Sequence, residues 1–399
     1  GVDLPIRTMV LHSTQRFNGR ALDSMSVRSL KNLVGRAGRA GKETKGLIIV
    51  PHERDQNLVK RLIQEEGVEQ VNGTLYNLIS SITEVLRSGN IELTNEILDA
   101  QDEQFLQWLD AIDISLIDLL SEDTNPSELE EVVRNILSHT LSHHQADDEE
   151  KQTQEQIFQL RADKIRPYLE DGIFAHLSLS GTSLRNFESL NRLFDFEDEI
   201  WTKEFDNPLD EELLNFLLID GLLLSREFQY ALENFNAWTM KEGNELSNTD
   251  IFQVIRLWME GNWYHQIANE INVELYKIIR LINHLLGYNL QTLISSVIRI
   301  KIARDEDFEP DPIIFNWPLF LQYGIDSILK LHLFELGLTD RVAVLYLSDE
   351  FQESEIYTGN KQELIETLRE NRDSISESLE DDVPYISFQK LTKFLDQIN

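Results

Sequence analysis

At 399 residues the chain exceeds what one compact core holds and predicts roughly two to four domains, and its 41% apolar and 27% charged residues exclude global disorder. No run approaches the ~18 uninterrupted apolar residues of a membrane span and no charged-then-apolar leader opens the chain, so neither a span nor a secretory signal is expected and the cytoplasm is the expected compartment. Zero cysteines exclude disulfides, thiolate metal sites and cysteine nucleophiles, and a net charge of -34 argues at first against nucleic acid as a partner.

The charge is uneven along the chain. Residues 1–55 carry ten Lys/Arg against five Asp/Glu, a net of +5, and the remainder is -39. In that basic head, Thr8–His12 and Leu47–Val50 read as short strands, the second closed by Pro51. Between them Ser26 is placed to N-cap a helix through Val27, Leu30, Leu33 and Val34, ending in the glycines at 35, 38 and 41. Strand, helix and strand within about 45 residues fit the end of an α/β domain.

Beyond residue 56 the pattern turns helical. Leu75, Leu78, Ile79, Ile82 and Leu86 follow helical spacing, as do Ile251, Val254, Ile255 and Trp258. Polar or proline-rich breaks are expected at 121–127, 145–155, 203–211 and 305–312. The expected fold class is therefore mainly α: the end of an α/β domain at 1–55, then an all-α region of several subdomains at 56–145, 156–304 and 305–399.

Two segments of the head carry chemistry. One is Gly1-Val2-Asp3-Leu4-Pro5; the other is Asn32-Leu33-Val34-Gly35-Arg36-Ala37-Gly38-Arg39. Arg28, Asn32, Arg36 and Arg39 share a helical face, and two guanidiniums three residues apart beside small neighbours form a fork suited to oxyanions. Jointly, in order and spacing, the two segments resemble motifs V and VI of superfamily 2 DExD/H-box ATP-dependent helicases, in the Ski-like branch. The close resemblance covers residues 1–51.

The resemblance implies a RecA-like domain end, ATP with Mg2+ as cofactors, and nucleic acid as substrate, DNA favoured over RNA. Arg36 and Arg39 match the arginines that cross the interdomain cleft to the γ-phosphate, where such a residue contributes about three to five orders of magnitude in rate. Asp3 matches the acid that holds the ribose or orients the fork, and Gly1 and Val2 match the loop whose amides meet nucleic-acid phosphate. Asn32 stands where the family carries Gln or His, an amide one methylene shorter. The chain opens inside a motif and holds neither a P-loop nor a DExD/H box. Gly41-Lys42 is not a P-loop tail, since Arg36 replaces the required glycine and Glu43 follows the lysine. It is accordingly expected to be the C-terminal portion of a larger, prokaryotic protein whose N-terminal RecA-like domain binds most of the nucleotide and metal, and to be inactive by itself.

Two further clusters stand out. His139, His143 and His144 read as an exposed polar helix end, because no Glu follows the first His and no third ligand is evident, so no metal site is expected. Residues 250–304 are the non-acidic island of the body, net +2, with Lys277, Arg280 and His284 at i, i+3, i+7 and Trp258, Trp263 and Tyr264 nearby. Either this is a helix that tracks a nucleic-acid strand, or it is a basic helix paired with acidic neighbours. The rival to the helicase reading is an acidic helical scaffold that docks a partner protein, for example a nuclease in a prokaryotic defence system, with ATP turnover as a gate.

Overall fold

The structure, a computed structural model, describes residues 8–11, 15–17, 22–24, 47–52, 55–56, 59–60, 79–80, 82–84, 93–241, 244–305, 307–353 and 361–398. The chain parts into two compact units, residues 1–77 and 78–399.

In the first unit the two expected strands form and pair. β1 (Thr8–Val10) runs parallel to β4 (Leu47–Ile49), with Thr8 opposite Leu47 and Val10 opposite Ile49. Leu11 extends the ladder, its N–H donating to the Ile49 carbonyl at 2.8 Å, and is buried. Parallel neighbours cannot be joined by a tight turn and require a crossover of a dozen or more residues, which the intervening segment supplies. The expected helix over 26–34 and its glycine end lie outside the described residues. A second pair was not expected: β2 (Gln15–Phe17) lies antiparallel to β3 (Leu22–Ser24). Its strands are too short and polar to alternate, and its only sequence signal is Asn18-Gly19 between them.

The second unit is built of helices joined by loops, with no strand among its described residues. Residues 79, 80 and 82–84 are helical, with Ile79 and Ile82 buried as their spacing predicts. After α1 (Asn95–Asp99), Asp102 caps α2 (Glu103–Leu119) by accepting from the Phe105 N–H at 3.0 Å. Phe105, Leu109, Ile112 and Leu116 form its buried stripe. The break expected at 121–127 appears, and α3 (Leu129–Ser138) and the short α4 (Leu141–Gln145) follow.

The break expected at 145–155 is confined to Ala146 and Asp147, and residues 148–155 are helical. Asp147 and Glu150 form a reciprocal capping box at 2.9 and 3.0 Å and open the long α5 (Asp148–Glu170). The acidic run is that helix's first turn, where carboxylates complement the macrodipole. Then come α6 (Phe174–Ser180), α7 (Leu184–Leu193), a loop across 203–210, α8 (Glu211–Leu214) and α9 (Arg226–Thr239).

α10 (Asn248–Met259) buries Ile251, Val254, Ile255 and Trp258 as predicted. α11 (Tyr264–Glu270) and α12 (Leu275–Arg280) follow, and α12 runs on as a π-helix over Leu281–Leu290 and as α13 (Gln291–Arg304). Asp311, at the end of the expected 305–312 break, caps α14 (Pro312–Tyr323). The chain finishes in α15 (Ile328–Glu335), α16 (Arg341–Glu353), α17 (Lys361–Glu370), α18 (Arg372–Leu379) and α19 (Tyr385–Gln397).

The second compact unit spans residues 78–399, with the subdomain limits expected at 145–156 and 304–305 inside it. Long-range polar contacts explain why. Trp317 Nε1 donates to the Pro208 carbonyl at 3.0 Å and Trp258 Nε1 to the Leu321 carbonyl at 2.8 Å, so large buried indoles tie the last third of the chain to its middle. Arg341 adds a third tie, donating to the carbonyls of Trp258, Asn262 and Gly324 and stacking 3.9 Å over the Trp258 ring. It has no carboxylate partner in these contacts, and burial lowers its pKa to about 10.

Candidate functional site

Gly1, Val2, Asp3, Asn32, Arg36 and Arg39 lie outside the described residues. Lys277, Arg280 and His284 lie within them, on α12 and the π-helix that continues it. Ser247 and Asp250 close a capping box that starts α10. α11 ends in a reversal in which the Val273 N–H donates to the Ala268 carbonyl at 2.9 Å and Asn272 takes φ +56°. That left-handed position favours Gly and, next, Asn. Four residues therefore separate α11 from α12. Ile267 and Ala268 on the first helix and Ile278 and Leu281 on the second are buried, which fixes how each helix is turned.

That rotation separates the three expected nucleic-acid residues. Lys277 is 4% exposed and its Nζ sits 2.6 Å from Glu274 and 5.8 Å from the Tyr276 ring centroid. The Lys277 hydrogen bond holds the Glu274 carboxyl below the usual range. Lys277 is thus an ion-pair partner, as the second reading of this island expected, and is no part of an outward cationic face. The i, i+3, i+7 pattern misleads here because Lys277 sits beside Ile278 and one turn before Leu281, whose burial draws it to the inner edge of α12 while Arg280 stays outside. Arg280 and His284 are exposed, and Arg280 has no ion pair or hydrogen bond among the described residues. Around them Tyr276, Ile279 and Tyr288 also face outward, at 62%, 38% and 70% exposure.

The expected single helix bearing the histidines is broken. His139 is the C-cap of α3 and Thr140 the N-cap of α4, so His139 and His143 do not share one helix. His139 Nδ1 is 2.8 Å from the Asn135 carbonyl. Among the described residues no group of three His, Asp or Glu side chains is placed to hold a metal ion, and no helix is long and apolar enough to cross a membrane.

A second polar constellation escaped sequence reading. Arg161 on α5, 3% exposed, grips the fully buried Asp113 of α2 through two hydrogen bonds of 2.7 and 2.6 Å and reaches Asp99 at 3.0 Å. Lys164 also pairs with Asp99. Burial pushes the Asp113 carboxyl up while the guanidinium pulls against it.

Beside this pair, Arg185 of α7 binds Asp110 and lies 2.8 Å from Glu103, whose other oxygen is 2.7 Å from Arg226. A cavity of about 190 Å³ lies between these groups. Glu227 completes the cluster. Burial, with Asp110 nearby, raises its carboxyl to about 7, and its Oε2 has no hydrogen-bond partner. Perturbed carboxyls in clefts are candidates for chemistry. Here, however, Arg161, Lys164, Arg185 and Arg226 each already face a carboxylate, so the lattice offers no free charge to a ligand. Its one signal in the sequence is a cation at 161 on a face otherwise made by Ile157, Phe158 and Ile165.

Compared with known families and curated proteins, the chain matches no family model and no curated sequence.

Proposed function

We propose that the chain is the C-terminal portion of an ATP-dependent nucleic-acid helicase or translocase, with Arg36 and Arg39 as the arginine fork and with Asp3 and Asn32 on the nucleotide side. The observation that carries this reading is the parallel pairing of β1 with β4, which flank the Gly35–Arg39 motif. Parallel strands separated by a crossover are the frame from which an α/β domain presents such a motif. In the intact protein the guanidiniums would donate to γ-phosphate oxygens as charge develops in the transition state, while the partner domain holds the metal and most of the nucleotide. Gly1 and Val2 would meet nucleic-acid phosphate, and the outward face at Arg280 and His284 would add a contact from the helical unit.

Arg36→Ala or Arg39→Ala in the intact protein removes most ATPase activity, about a thousandfold. Nucleotide binding stays near wild type, because the fork acts on the transition state. Near-normal turnover in both variants would sink the assignment. A second reading, a protein-docking scaffold, is favoured by the net charge of -38 carried by residues 78–399. The two part on whether the intact protein displaces a strand with no partner present.

A further inference from the structure

We propose that Tyr264–Leu290 is a helix–turn–helix element that lays the outward face of its second helix in the major groove of duplex DNA. This deepens the nucleic-acid half of the helicase reading and rests on that half, but not on ATP turnover. A short helix, a turn of about three or four residues and a second helix that carries the contacts form the recurring arrangement for entering a major groove. Here the turn is set by Asn272 in the left-handed conformation, and Ile267, Ala268, Ile278 and Leu281 bury the inner faces of both helices. α10 packs against α11 and is held to the rest of the unit through Trp258.

The outward face has the chemistry of a groove reader. Tyr276, Arg280, His284 and Tyr288 recur at four-residue steps and are all exposed. An ordinary α-helix would wind such a stripe around its axis. The step from Tyr276 to Arg280 is of that ordinary kind, and the wider i→i+5 turn over Leu281–Leu290, which rotates less per residue, offsets its drift toward His284 and Tyr288. Arg280 can fork onto a guanine edge or a phosphate, and Ile279 can meet a thymine methyl.

Charge singles out the same segment. Seventy carboxylates in 399 residues would place about five in any run of thirty, yet residues 275–304 contain none; of their five Lys/Arg, Arg280 stands on the outward face, while Lys277 and Lys301 are buried in ion pairs and Arg304 bonds Asn191. The carboxylate that precedes the run, Glu274, is held by Lys277. A polyanion thus meets no free acid along this helix.

Geometry favours duplex DNA over the alternatives. The face is a single convex helix, of a diameter of about 10–12 Å that the B-form major groove of about 12 Å admits. A single strand is instead gripped in a charged groove with stacking platforms, and the narrow A-form major groove of duplex RNA closes to side chains.

The test is fluorescence anisotropy on the 399-residue chain with three labelled probes: a mixed-sequence 24-base-pair DNA duplex, one of its strands, and the RNA duplex of the same sequence. Duplex DNA should bind tightest. Arg280→Ala with His284→Ala should weaken it at least tenfold without lowering the thermal midpoint, and should flatten the salt dependence by about 0.9 per lost phosphate contact. Arg280→Gln, which keeps most of the side chain's length, should show the loss for its own contact, and the remote exposed Lys393→Ala should show none. The same loss should appear in an Arg36→Ala background, so a failed ATPase assignment leaves this test intact. Undetectable duplex binding, stronger binding of the single strand or the RNA duplex, or equal losses in Lys393→Ala would each overturn the proposal. So would a dimer that Tyr276→Asp dissociates while DNA affinity is unchanged, since a second copy would then own the face.

Discussion

Glu227 sits in the first turn of α9 with one carboxylate oxygen facing no donor, among Asp110 and Glu103 of α2 and Arg185 of α7. Its folded pKa of about 7 lies above the ordinary 4.5, so the native chain holds a proton that the unfolded chain has released anywhere between those values. Stability contributed by the neutral form is therefore complete below about 4.5 and is lost as pH rises through about 7, up to about 3 kcal/mol for such a shift. Glu227→Gln keeps a neutral group and should raise the thermal midpoint at pH 8 while leaving it nearly unchanged at pH 4.5. Parallel midpoint curves for the two proteins from pH 4.5 to 8 would show that Glu227 ionises freely in the folded state. At the same scale, Arg161, Asp99 and Asp113 are separated by 48 and 62 positions, and periodicity along one helix carries no information about a partner that far away.

Helices of regular composition were legible and helices with unusual ends or winding were not. Ile251, Val254, Ile255 and Trp258 mark α10 because a single helical face is buried against α14. The start of α5 hid behind its own cap, since Asp147 through Glu150 look like a solvated break until the reciprocal hydrogen bonds are seen. The π-helix is encoded by Leu281, Leu285, Leu286 and Leu290, whose steps of four and five suit a wider turn as well as an α-helix. Glycine ends also separate at this scale. Gly324 stops α14 at φ +65°, and a Cβ there would lie 2.3 Å from the Trp258 indole. Gly324→Ala should lose about 2–4 kcal/mol, from left-handed strain and overpacking together. Gly172→Ala, at φ +68° with open space around it, should lose only the backbone part, about 1–2 kcal/mol. Equal urea midpoints for the two variants would mean that the indole yields.

Across the whole molecule charge is partitioned, with a net of +4 on residues 1–77 and -38 on 78–399. The sequence exposed the basic head, the Gly35–Arg39 motif and the acid-poor island, because each is contiguous. It could not reveal that Lys277 turns inward, because that depends on the rotation set by Ile278 and Leu281 against the rest of the unit. The helical unit is also knitted late in its own chain. Arg341 binds carbonyls 17, 79 and 83 positions away. Those oxygens point at one spot only after α10 and α14 have ended and come together. In kinetic terms the guanidinium is a latch that closes on the native side of the folding barrier. Arg341→Met should then leave the refolding limb of a stopped-flow chevron in place and raise the unfolding limb about ten- to a hundredfold, as a charged hydrogen-bond set worth about 1.5–3 kcal/mol requires. Refolding slowed by that factor would instead put Arg341 inside the nucleus that the rest of the helices condense upon.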